Sequence, residues 1–117
     1  MNISIKSYLF KKRISIFFFK FLEKNKIDYC YLGNLSHFPS KIQSDVDIFI
    51  DFKNTKDLKK ILFKFAKYKN LKIVNFIQHE FNSFTVILCD IFKNDIEYIS
   101  FDICNEYVIN SRKLIYL

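Results

Sequence analysis

The chain holds 117 residues, half of them hydrophobic, with a formal net charge of +7. That length suits a single domain spanning 1–117 that buries a core without disulfides or metals, and the apolar content excludes a disordered chain. The positive charge suits an anionic partner, whether nucleotide, nucleic acid or membrane surface, and does not choose among them.

Along 7–25, Phe10, Ile14, Phe17 and Phe21 recur at steps of four, three and four, while Lys11, Lys12, Glu23 and Lys24 fall elsewhere on the helical wheel. This pattern predicts an amphipathic helix packed on a sheet, with attachment to a membrane surface as the alternative. Its most apolar stretch, "ISIFFFKFL" at 14–22, is nine residues long and interrupted by Lys20. A spanning helix needs ~20, so no transmembrane segment is expected. No small-residue cleavage site follows it, so no signal peptide is expected either.

"DYCYL" at 28–32 reads as a short strand ended by Gly33, the only glycine, and by a polar loop with the lone Pro39. "VDIFIDF" at 46–52 reads as a second strand. Asn54 or Thr55 caps the next helix, in which Leu58, Ile61, Leu62 and Phe65 share a face and Asp57 sits in the first turn. Lysines 56, 59, 60, 64, 67 and 69 read as its solvated face rather than as a nucleic-acid patch. Three further strand-like runs begin at 71, 83 and 95, separated by "FNS" and "KND", which are short enough for hairpin turns. The fold class expected is α/β or α+β, with a mixed β-sheet of about five strands and helices packed on it.

Cys30, Cys89 and Cys104 are odd in number, lack metal-ligand spacing and sit in apolar runs. They read as reduced, buried thiols of a cytoplasmic protein. His37 and His79 show no zinc spacing with them and read as structural or incidental. A phosphate loop of the P-loop kinase type needs two glycines, and the chain has one.

Asp45 and Asp47 stand two apart in the second apolar run. Alternate residues of a strand share a face, so these two sit with Cα atoms roughly 6.6 Å apart. Like charges that close need a cation between them, and Mg²⁺, which takes oxygen ligands and shares them with substrate phosphates, is the natural one. A turn at Gly33 lets backbone N–H groups approach a phosphate, with Asn34 and Ser36 as added donors. Lys41 and Ser44, just before the pair, are candidate triphosphate contacts or simply polar loop residues.

With "LGN" at 32–34, eleven residues between Gly33 and Asp45, and "SDVDIFI" at 44–50, the chain resembles the nucleotidyltransferase superfamily of the DNA polymerase β type. The resemblance runs from about 28 to about 113. Asn34 stands where that family usually has Ser or Gly. The closing stretch "SFDICNEYVINSRKLIYL" is similar to small bacterial nucleotidyltransferase-like proteins that accompany surface-polysaccharide genes.

The resemblance implies a metal-dependent transfer of a nucleoside monophosphate from an NTP to a hydroxyl acceptor, with release of pyrophosphate. The acceptor is a small molecule, sugar, protein or nucleic-acid end. Asp45 and Asp47 would hold Mg²⁺ or Mn²⁺, and Asp102 would be the third carboxylate, able to reach the same ion where its strand neighbours theirs. Glu97, five residues away on the last strand, faces the opposite side of a regular strand. Two other functions are weighed against this one: a degenerate, antitoxin-like or accessory module that binds a nucleotide or partner without turnover, and a basic nucleic-acid-binding domain resting on charge alone.

Overall fold

The computed structural model describes residues 3–32, 45–90, 96–105, 107–109 and 112–115. The elements in chain order are α1 (Ile3–Lys24), β1 (Tyr29–Tyr31), β2 (Asp45–Ile50), α2 (Thr55–Lys69), β3 (Lys72–Glu80), β4 (Ser83–Asp90), β5 (Glu97–Cys104), β6 (Tyr107–Ile109) and β7 (Arg112–Ile115). The fold is a mixed α+β one, with a five-stranded sheet ordered β1-β2-β5-β4-β3 and a separate β6-β7 hairpin.

Both helices end by the same device. Ile27 N–H donates to Leu22 O at 2.9 Å and Lys26 N–H to Glu23 O at 3.1 Å, with Lys26 at φ 58°. Leu71 N–H donates to Ala66 O at 2.8 Å and Asn70 N–H to Lys67 O at 3.3 Å, with Asn70 at φ 55°. These are paired six-to-one and five-to-two closures around a left-handed residue, a position glycine usually takes. The start of α2 follows the capping expectation: Asn54 Oδ1 accepts from Asp57 N–H at 2.8 Å, and Asp57 Oδ2 accepts from Lys53 N–H at 3.1 Å.

The helices lie on one face of the sheet. Phe18 is wholly buried, with its ring 4.8 Å from Phe65 of α2 and 4.8 Å from Phe101 of β5, so one side chain joins both helices to the sheet. Burying such a ring stabilises by roughly 1.5–3 kcal/mol. Val46, Ile48 and Ile50, Phe84, Val86 and Leu88, and Ile99, Phe101 and Ile103 meet the helices in the same core. Alternation therefore sends Asp47, Thr85, Ser100 and Asp102 to the other face.

Several expectations are refined. The buried stripe of α1 contains Phe18 and Leu22 beside Phe10, Ile14 and Phe21, while Phe17 is only half-buried. Lys11, expected off that stripe, is buried, with its ammonium 5.5 Å from the centre of the Tyr98 ring. All three cysteines are thiols outside any disulfide, but only Cys89 is buried; Cys30 and Cys104 are half-buried. The β6-β7 hairpin was not anticipated. Among the described residues no helix is long and apolar enough to cross a membrane.

Candidate functional site

The site begins with β2. Its alternation buries Val46 and Ile48 against the helices and leaves the intervening Asp47 exposed on the face opposite them. Asp45 opens the same strand two residues earlier. By strand periodicity it occupies a position on the Asp47 face, although its side chain is outside the described part.

β5 runs parallel to β2, and the register sets Asp102 directly beside Asp47. Neighbouring strands lie roughly 4.8 Å apart, so the two aspartates occupy adjacent positions on one face. β5 pairs with β4 without a register break, which carries Glu97 to the opposite face, where it stands beside Asp90.

Two residues of the site escaped the sequence reading. Thr85 on β4 is the register partner of Asp102 and donates its hydroxyl hydrogen to Asp102 Oδ1 at 2.6 Å. His79 on β3 places Nε2 2.6 Å from the Thr85 oxygen. Thr85 has a single hydrogen and gives it to the carboxylate, so in this arrangement His79 Nε2 is the donor and a chain of hydrogen bonds runs from β3 through β4 to β5. Thr85 did carry a signal, being the one polar residue between Phe84 and Val86. His79 carried none, because its position depends on a register shift between Gln78 and Glu80.

The entry to the glycine segment is anchored here as well. Leu32 N–H donates to the carbonyl of Asp47 at 2.9 Å, which ties the residue before Gly33 to the carboxylate strand. Burial first, and the charge of Asp47 second, push the Tyr31 hydroxyl above its ordinary range. Gly33, Asn34, Ser36, Lys41 and Ser44 themselves lie outside the described residues.

Oxygen donors of this kind suit Mg²⁺ or Mn²⁺, and Mg²⁺ is commonly held by one or two carboxylates together with substrate phosphates. Asp47 and Asp102 fit that requirement. Among the described residues no three His, Cys, Asp or Glu side chains converge as a complete protein cage. Comparison of the chain with protein-family models, characterised proteins and solved structures finds no match.

Proposed function

We propose that the protein is a metal-dependent nucleotidyltransferase, with the adjacency of Asp47 and Asp102 across the parallel β2-β5 pair as the observation that carries the reading. Exposed Asp47 and half-buried Asp102 on neighbouring strands form a paired anionic surface, and a shared cation would offset the repulsion between like charges held that close. In the reaction the acceptor oxygen forms a bond to the α-phosphorus of the NTP. The bond from that phosphorus to the bridging oxygen breaks, pyrophosphate leaves, and the hydroxyl proton is lost to base. Mg²⁺ or Mn²⁺, when bound, supplies charge neutralisation along the triphosphate.

Asp45 and Asp47 hold the cation, and Asp102 completes the set on the attacking side. Thr85 and His79 fix the orientation of Asp102. Gly33 and Asn34, with Lys41 and Ser44, contact phosphate. The acceptor is a small molecule, sugar, protein or nucleic-acid end, and use of NTP fits a cytoplasmic location.

The test is incubation with each α-labelled NTP, Mg²⁺ or Mn²⁺ and a cell extract. Label should move to an acceptor, and transfer should be absent with EDTA and in Asp47→Asn. Divalent-dependent NTP binding without any transfer would instead mark a binding module. Equal NTP binding with Mg²⁺ and with EDTA would reduce the site to a basic patch.

A further inference from the structure

On the far side of the sheet from the carboxylates, the C-terminal turns of α1 and α2 enclose a pocket of about 470 Å³. That size is within the range of sites that hold small ligands. Lys20 and Lys24 line it from α1, and Lys64 and Lys69 from α2. No carboxylate is among the described residues that line it. Glu23, next to Lys24 in sequence, accepts a hydrogen bond from the Tyr29 hydroxyl at 2.9 Å.

Two of the four ammonium groups, those of Lys64 and Lys69, are held by neutral partners. Lys69 Nζ lies 3.6 Å from the centre of the Phe17 ring and 4.7 Å from that of Tyr68. Lys64 Nζ donates to Asn25 Oδ1 at 3.2 Å. Rings and an amide orient a cation without cancelling its charge. The helix C-termini account for Lys24 and Lys69 through the macrodipole, but not for Lys20 and Lys64, a turn further in. A concave wall of positioned cations over an aromatic floor has the chemistry of a single-stranded nucleic-acid groove, in which lysines follow the phosphates and rings meet unpaired bases.

We propose that this pocket binds single-stranded nucleic acid, independently of any reaction at the carboxylates. A duplex keeps its bases away from the floor, and a flat bilayer does not enter a concave pocket. The Tyr68 ring, 62% exposed, is within reach of an unstacked base.

The experiment is fluorescence anisotropy of a labelled ten-nucleotide single strand in EDTA, which silences a divalent-dependent site. The triple variant Lys20→Gln, Lys64→Gln, Lys69→Gln is compared with a charge-matched triple, Lys53→Gln, Lys56→Gln, Lys60→Gln, made outside the pocket. The pocket variant should bind at least about tenfold more weakly, with a flatter salt dependence, and the other less than about threefold more weakly. Lysine acetylation of the unmodified protein, read by mass spectrometry, should show the strand protecting Lys20, Lys24, Lys64 and Lys69 and sparing Lys53, Lys56 and Lys60. Equal weakening by both triples, absence of that protection pattern, or tighter binding to duplex or to anionic lipid vesicles than to the single strand would overturn the assignment.

Discussion

Thr85 gives its only hydroxyl hydrogen to Oδ1 of Asp102 across 2.6 Å, from the strand directly alongside. A carboxylate held this way has one oxygen committed and the other directed by it. Thr85→Val keeps the shape and removes the hydrogen bond, and outer partners of ligating groups commonly contribute 10–100-fold. We expect transfer in Thr85→Val to fall by about tenfold or more, mostly in kcat, with Thr85→Ser restoring it. A purely structural role for Thr85 would instead appear as loss of folding stability with kcat unchanged.

The carboxylates themselves should separate by face. Asp47→Asn and Asp102→Asn remove charge from one shared surface, and each should abolish transfer while leaving the circular dichroism spectrum as it is. Glu97→Gln, on the opposite face, should have little effect. Full activity in purified Asp102→Asn would remove it from the site.

The Tyr29 hydroxyl is pushed up to about 12 from 10.0, by burial first and then by its hydrogen bond to Glu23 and that carboxylate's charge, with a smaller push from Cys30. The folded state therefore holds this proton more tightly than the unfolded chain does. The stability it contributes is full below pH ~10 and is lost as pH rises through about 12. Ultraviolet titration should show late ionisation of both Tyr29 and Tyr31, and the Tyr29 component should disappear in Tyr29→Phe. In Glu23→Gln Tyr29 should ionise at lower pH.

Two substitutions test the helical layer in opposite directions. Phe18→Ala empties the space between Phe65 and Phe101, and such truncations cost about 3–5 kcal/mol in denaturant unfolding. Lys26→Gly relieves a left-handed non-glycine residue and should stabilise by about 1 kcal/mol. An unchanged or lower midpoint in Lys26→Gly would mean that the lysine side chain makes compensating contacts.

Much of the fold was legible because its signals are local. The Asn54 cap and the spacing of Leu58, Leu62 and Phe65 define α2 within the chain itself, and Asp47 between buried neighbours marks which face of β2 is polar. In α1 the run Phe17, Phe18, Phe19 satisfies several helical stripes at once, so periodicity alone does not separate the buried Phe18 from the half-buried Phe17. Alternation says which way Asp47 and Asp102 face, but not that β2 and β5 are neighbours. That pairing is long-range, and with it the adjacency of the two aspartates and the approach of His79 to Thr85 through an irregular register.

That irregularity has a second consequence. β3 ends the sheet order, and Val74 and Ile77 are exposed along it with Phe81 in the turn that follows. A straight terminal strand of this composition would offer its unpaired backbone groups as a template for another copy of the chain. The register shifts between Ile73 and Asn75 and between Gln78 and Glu80 interrupt that template twice within nine residues. The departures from regular pairing that bring His79 to the site thus also leave a second molecule no continuous ladder along which to grow a fibre.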